Sequence, residues 1–313
     1  MSQSHSRRIV VTGGSGFLGG RVCRKLSEHD YEVIPLGSRD YDLTDQSQVR
    51  ALYRKERPDI LIHIAAACGG IGANVENPGW FLYANSVMGL LLLEEGRKAN
   101  LEQFILVSTT CAYPEQAPMP LREEYLWDGK PTEATAPYGI AKRMLHEACS
   151  SYEKQYGLKS QVLIPANMYG PGDHFDPKNS HVIAALVRRY VEAVDNQEPE
   201  VVNWGSGLAT REFLHVDDAA EAIRLGVETP KAECGPMNIG TGRETSIREL
   251  AETVAEATGY QGPTNWDTSK PDGQPRRCLD VSRAHETLGF QARIGLEAGI
   301  AETVDWFREK IKQ

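Results

Sequence analysis

The sequence contains no apolar run of membrane length. Its longest apolar stretches, near Leu61–Cys68 and Leu90–Leu93, fall far short of the roughly 20 residues needed to span a bilayer, so no membrane partner is expected. The opening stretch Met1–Arg8 has neither an apolar centre nor a cleavage pattern. It leads straight into Ile9-Val-Val-Thr12, which argues against a secretory signal. A basic excess is missing too: 34 Lys and Arg stand against 43 Asp and Glu, a net charge of −9. Tracking a phosphate backbone takes a basic stripe, so nucleic acid is not an expected partner. One small anion remains a possible ligand, because a local cationic cluster suffices for it. Finally, the six cysteines, Cys23, Cys68, Cys111, Cys149, Cys234 and Cys278, include no CxxC pair. That pattern predicts reduced thiols, a cytoplasmic protein and no metal site.

What is present is an ordinary globular composition, 41% hydrophobic and 25% charged over 313 residues, enough for about two lobes. Short apolar runs alternate with helical patterns. Arg8–Thr12 reads as a strand, followed by a helix through Leu18, Val22 and Leu26. Glu32–Leu36, Asp59–Ala65, Gln103–Ser108 and Lys159–Ile164 read as further strands; Asp45–Lys55, Asn85–Lys98 and Tyr138–Tyr156 read as helices. Such alternation predicts an α/β fold with a Rossmann-type, doubly wound parallel sheet. After Tyr169–Asp173 the pattern loosens into a helix near His181, a strand at Val201–Trp204, a helix after Asp217, a strand at Pro236–Gly240 and helices at Ser246–Thr258 and Leu296–Lys312. We therefore expect a cofactor lobe over 1–170 and a smaller α/β substrate lobe over 171–313, with segments near 211–241 returning to the first.

Between the first strand and first helix lies Gly13-x-x-Gly16-x-x-Gly19. Glycines there permit a tight turn and let backbone N–H groups approach a pyrophosphate at a helix N-terminus, so the motif predicts dinucleotide binding. The second strand ends in Leu36-Gly-Ser-Arg39, with no carboxylate for a ribose 2′-OH and a cation nearby. This favours NADP(H) over NAD(H) without closing off the latter. Asp42 and Leu43 follow where an adenine-contacting turn would lie.

Tyr138-Gly-Ile-Ala-Lys142 sets a phenol and an ammonium four residues apart, on one helical face. A nearby ammonium is expected to lower the phenol's pKa into a range useful for acid–base chemistry. A hydroxyl cluster, Ser108-Thr-Thr110, ends the fourth strand. In this order, Gly-rich turn, hydroxyl and YxxxK, the chain resembles the extended short-chain dehydrogenases/reductases, whose triad is Ser/Thr, Tyr and Lys. By position the hydroxyl member is Thr109 rather than Ser108.

Further segments narrow the resemblance: Thr109-Thr-Cys-Ala-Tyr-Pro114, Asn167–Gly172, Asn179-Ser-His-Val-Ile183, Trp204-Gly-Ser-Gly207, Arg211–Asp218 and Lys270-Pro-Asp-Gly273 all resemble the GDP-L-fucose synthases, in order along most of the chain. That family epimerises C3 and C5 of GDP-4-keto-6-deoxy-D-mannose and reduces C4 with NADPH. The resemblance implies a Cys111/His181 acid–base pair beside the triad. Cys111 lies two residues past Thr109, so an extended backbone would point both side chains the same way.

The resemblance also implies cofactor contacts from Gly13, Ser15, Gly16, Phe17, Leu18, Gly19, Ala65, Ala66, Val107, Lys142, Pro165, Asn167, Met168 and His181. It implies a nucleotide-sugar pocket of Asn167, Val182, Leu186, Arg189, Trp204 and Arg211. Arg188, Arg189, Arg211, Arg276 and Arg277 are candidates for the diphosphate, since guanidinium forks bind such groups bidentately. It implies a homodimer through the YxxxK helix, where Ile140, Met144, Leu145 and Ala148 form an apolar stripe that would serve equally to pack against the chain's own sheet. Two departures stand out. Ser15 and Phe17-Leu18 replace the family's GxRGMxG, which removes one expected 2′-phosphate contact, and Cys68 intrudes beside Gly69-Gly-Ile71. They leave room for a related GDP-sugar epimerase or 4-keto reductase with tightly held NAD(P). A non-catalytic dinucleotide-binding regulator would need none of the proton-transfer groups.

Overall fold

The computed structural model describes residues 6–176, 180–230, 235–270 and 272–312. Its first half contains β1 (Arg7–Thr12), α1 (Phe17–Ser27), β2 (Tyr31–Leu36), α2 (Gln46–Glu56), β3 (Ile60–His63), α3 (Ile71–Glu76), α4 (Pro78–Lys98), β4 (Gln103–Val107), α5 (Ala136–Tyr156) and β5 (Lys159–Pro165). The second half adds β6 (Asn167–Tyr169), α6 (Val182–Asp195), β7 (Val201–Trp204), β8 (Thr210–Arg211), β9 (Phe213–His215), α7 (Val216–Glu228), β10 (Pro236–Ile239), β11 (Thr245–Ser246), α8 (Ile247–Thr258), β12 (Thr264–Asp267), α9 (Ser282–Leu288) and α10 (Leu296–Ile311).

The main sheet has six strands in the order β10-β5-β4-β3-β1-β2, and every pairing in it is parallel. Its central strands are buried throughout: Ile9, Val10, Ile60, Leu61, Phe104 and Ile105 have no exposed surface. Burial of consecutive residues is what helical layers on both faces require, and it explains why these runs are continuously apolar. The chain passes from β1 outward to β2, then returns to lay β3 on the other side of β1. Between β1 and β3 the winding reverses, which opens a crevice at the strands' carboxyl ends.

Two apolar cores result. The first surrounds the main sheet and takes in Leu214, Val216, Ile223 and Val227 near α7, Met237 and Ile239 of β10, and Leu288 and Phe290 around α9. The second gathers Ile183, Leu186, Val187, Tyr190 and Val191 of α6 with Leu250 and Val254 of α8 and Ile300, Val304 and Phe307 of α10. The chain thus crosses between the lobes more than once, and α9 joins the first core from well beyond residue 241.

Several elements differ from the sequence expectation. Helix α4 starts at Pro78 rather than Asn85; proline suits a first helical turn, while exposed Trp80, Leu82 and Tyr83 blur its apolar period. The short elements α3, α9, β6, β8, β9, β11 and β12 give too few residues to register a period. The apolar stripe on α5 divides: Leu145 is buried against Gly89 of α4, whereas Ile140 is 45% exposed.

Candidate active site

The crevice is floored by the glycine-rich turn. Gly13 has φ 74°, and a Cβ there would press on the backbone of Ala65 at the end of β3. A Cβ at Gly19 would run into the Gly13 carbonyl, so the third glycine lets α1 pack against the turn. Helix α1 begins after Gly16 with no side-chain cap. Its first N–H groups therefore face a cavity of about 660 Å³. Ten sequence-predicted residues line it: Gly13, Ser15, Gly16, Phe17, Leu18, Gly19, Asp42, Leu43, Ala65 and Ala66. The rest of the wall includes Thr12, Leu36, Ser38, Tyr41, Thr44, Ala67, Cys68, Trp80 and Met88. Uncapped N–H groups, a turn with small Ser15 as its one side chain between glycines, and a long, largely apolar slot fit a dinucleotide.

Other expected cofactor contacts lie elsewhere. Arg39 is exposed on the turn after β2 and does not line the cavity. Val107 and Pro165 are buried with Leu18 around a small interior void, Met168 is half-buried, and the Asn167 amide donates to Glu212 O at 3.3 Å. At the end of β2 the Asp40 carboxylate folds back to accept from Gly37 N at 2.7 Å, beside the Ser15 hydroxyl. A carboxylate therefore does stand there, supplied by the turn and not by the strand.

Thr109 follows β4 and Tyr138 opens α5, with the Thr109 hydroxyl close enough to act on the phenol's pKa. Ser108 is engaged elsewhere: its hydroxyl lies 2.6 Å from buried His146 Nε2. Lys142 is 1% exposed and donates from Nζ to Val107 O at 3.0 Å, with Nζ 5.9 Å from the centre of the Tyr138 ring. The expected lowering of the tyrosine pKa is not what the site produces. Burial raises Tyr138 well above its ordinary value, reinforced by Cys68 and Cys111 and opposed by Thr109. Burial also lowers Lys142 to about 8. Desolvation dominates at both groups, so at neutral pH Tyr138 is a protonated phenol.

Cys111 sits in a 3-10 turn, Thr110–Ala112, not in extended backbone. The Thr109 hydroxyl caps this turn by accepting from Cys111 N at 3.1 Å, a local competition that Thr readily wins. Arg143 Nε donates to Ala112 O from α5, and its Nη1 donates to Gly129 O at 2.7 Å. Gly139 lets the helix backbone approach the Cys111 carbonyl. Cys68 lines the cavity as an electrostatic neighbour of Lys142 and Cys111; burial raises its thiol. Thr109, Cys111, Tyr138, Lys142 and Cys68 thus converge.

His181 belongs to the other lobe. It is the N-cap residue of α6, exposed, with Nδ1 3.8 Å from Asp173 Oδ1, and no hydrogen bond or ion pair joins it to Cys111 among the described residues. Asn179 of its motif lies outside the described residues, as do Pro271 of Lys270–Gly273 and Cys234. Along α6, Val182 is half-buried, while Leu186 is packed into the second core, not toward the cleft. Arg188 lies 3.9 Å from Glu192. Arg189 donates to Asn203 Oδ1 at 2.6 Å, and Trp204 is 69% exposed with Lys270 over its ring. Arg276 is paired to Glu244. Arg211 has Arg277 as a charged neighbour; burial and that like charge both lower its pKa. Neighbouring guanidiniums of this kind are suited to an anionic group.

The pattern of the "NAD dependent epimerase/dehydratase family" matches residues 9–240. The chain belongs to this family. The GDP-L-fucose synthase of Escherichia coli (strain K12) is 40% identical over 97% of each chain. A GDP-L-colitose synthase of Yersinia pseudotuberculosis is 31% identical over 96% of this chain and 97% of its own. Among solved structures, a GDP-L-fucose synthetase from Naegleria fowleri bound to NADP superposes with a TM-score of 0.87 at 29% identity, covering 100% of this chain and 97% of that one.

Within this epimerase/dehydratase framework, sequence reasoning passed over Arg143, His146 and Asp173. Arg143 and His146 follow Lys142 by one and four residues, but only the approach of the β4 turn gives them partners. A second cavity, about 850 Å³ and walled by Arg243, Glu249, Glu252, Glu256 and His285, contains none of the predicted site residues.

Proposed function

We propose that this chain acts as a GDP-L-fucose synthase, converting GDP-4-keto-6-deoxy-D-mannose to GDP-L-fucose by epimerising C3 and C5 and reducing C4. The observation that carries the reading is a thiol, Cys111, held in a capped turn beside the Thr109–Tyr138–Lys142 group at the cofactor crevice. A pure 4-reductase has no use for that thiol.

The C4 ketone acidifies the C–H bonds at C3 and C5. Cys111 removes each proton in turn, and His181 returns one from the opposite face of the sugar. Thr109 and Tyr138 donate hydrogen bonds to O4 and so stabilise the enolate that forms each time. The NADPH held by the glycine-rich turn supplies hydride to C4. Tyr138, kept protonated by burial, gives O4 its proton, and Lys142 holds the cofactor's ribose and neutralises the developing charge. Arg211 and Arg277 bind the diphosphate; Asn167, Val182, Arg189 and Trp204 enclose the nucleotide sugar. The acting form is a homodimer through α4 and α5, where Tyr83, Leu90 and Ile140 are exposed. The described cysteines, all unpaired, support a cytoplasmic enzyme.

In D₂O, Cys111→Ser should lose deuterium incorporation at C3 and C5 by at least about 100-fold, with NADPH binding retained. Wild-type exchange in that variant would overturn the assignment. The resemblance to a GDP-L-colitose synthase favours one second reading, action on another 4-keto GDP-hexose. Product stereochemistry and stoichiometric NADPH consumption, followed by NMR, decide between them.

A further inference from the structure

Asp173 stands where the chain enters the second lobe. Gly170 and Gly172, just before it, have φ of 143° and 91°, a backbone that glycine alone adopts freely, so the chain doubles back sharply. The turn folds the carboxylate inward, leaving its side chain 4% exposed. Oδ1 accepts from His174 N at 2.7 Å and lies 3.8 Å from His181 Nδ1. Among the described residues Oδ2 is buried without a hydrogen-bond partner. Leaving a buried carboxylate oxygen unsatisfied is costly, and such a group calls for a donor. The His181 side chain is 71% exposed and makes no capping bond to α6, so Asp173 is the ring's anchor.

We propose that Asp173 is a positioning residue for His181, engaging Nδ1 so that Nε2–H is turned to the substrate as the proton donor. The inference rests on the reading of His181 as the acid opposed to Cys111. Once Nε2 has given up its proton, the neutral ring keeps Nδ1–H toward Asp173, so the tautomer and orientation for reprotonation are preserved. Bringing the 3.8 Å separation to hydrogen-bond length takes only a small shift, and ligand-free catalytic contacts are commonly long.

The electrostatics agree. The Asp173 carboxylate beside the ring raises the His181 pKa, partial desolvation opposes it, and no other charged group among the described residues acts on the ring. A raised value keeps the imidazolium form to higher pH. Removing the carboxylate must therefore move the alkaline limb of proton transfer to lower pH.

The test uses the full-length protein. Asp173→Asn keeps an acceptor for His174 N and removes the charge. The His181 titration is followed by NMR without ligand, and deuterium incorporation at C3 and C5 of GDP-4-keto-6-deoxy-D-mannose is followed against pH. In the variant we expect the His181 pKa to fall, exchange to drop about 10- to 100-fold and its alkaline limb to shift down. NADPH binding should stay unchanged, and Asp173→Glu should recover part of the exchange. An unshifted titration and limb overturn the inference, as does a parallel loss of exchange and NADPH binding with the limb in place. Should Asp173→Asn fail to fold, a wild-type His181 pKa at or below about 6.5 overturns it equally. Undiminished exchange in His181→Gln would instead strike the reading of His181, and the inference with it.

Discussion

Asp40 shows how one side chain can alter a cofactor site without belonging to its motif. Its carboxylate accepts from Gly37 N at the end of β2, beside Ser15 and next to the cavity-lining Ser38. A 2′-phosphate brought to this end of the slot meets a fixed negative charge as well as Arg39. Asp40→Asn keeps an oxygen for Gly37 N and deletes the charge. NADPH should then bind several-fold tighter, about 1 kcal/mol for like charges near a wet surface, and NADH with unchanged affinity; fluorescence titration measures both. Equal changes for the two cofactors would mean that Asp40 only shapes the turn. At Tyr138 burial overturns what spacing suggests. Spacing places Lys142 on the same helical face, but only burial, which the sequence does not display, decides that the phenol stays protonated.

Helix α5 carries Tyr138, Lys142, Arg143 and His146 on the side that meets the β4 turn. A helical face reads as a stripe in sequence, yet these polar residues interrupt the apolar one, so their partners were illegible until β4 was in place. His146 makes this packing sensitive to acid. Burial, with Lys142 and Arg143 adding to it, lowers its pKa to about 3. The unfolded chain takes up this proton as pH falls through about 6.5, whereas the folded chain resists until about 3, so stability declines across that window. Lowering pH from 7 to 5 should cost about 2 kcal/mol through this residue. His63, also lowered by burial, adds in the same direction. His146→Gln should retain a partner for Ser108 and lose less stability over that range, measured by denaturant unfolding at the two pH values. An acid dependence equal to wild type would remove His146 from the account.

At the scale of the whole molecule, the net charge of −9 does not decide what is bound, because a local pair such as Arg211 and Arg277 can offset it for a single anion. The outer surface of α4 and α5 is a different matter. Leu145 is buried against Gly89 within the chain, but Tyr83, Leu90 and Ile140 are 52%, 36% and 45% exposed. Apolar groups grouped on a helix pair favour a second copy of the same face. Replacing Leu90 and Ile140 together by Glu should convert a dimer to a monomer in sedimentation velocity, with the far-ultraviolet circular dichroism unchanged. A wild-type protein that is monomeric at tens of micromolar would refute the dimer.

The amino-acid sequence by itself determined the alternation of strands and helices, the glycine turn, the YxxxK pair and the Thr109–Cys111 segment. These rest on local periodicity and on residues whose chemistry has few alternatives. Only the tertiary structure decided that α9 joins the first core, that Asp40 folds its carboxylate back onto Gly37 at the edge of the crevice, that a capped 3-10 turn presents Cys111, and that Asp173 faces His181. Each of those depends on which distant segments share a buried volume. Desolvation and partner choice arise only once the chain has closed on itself.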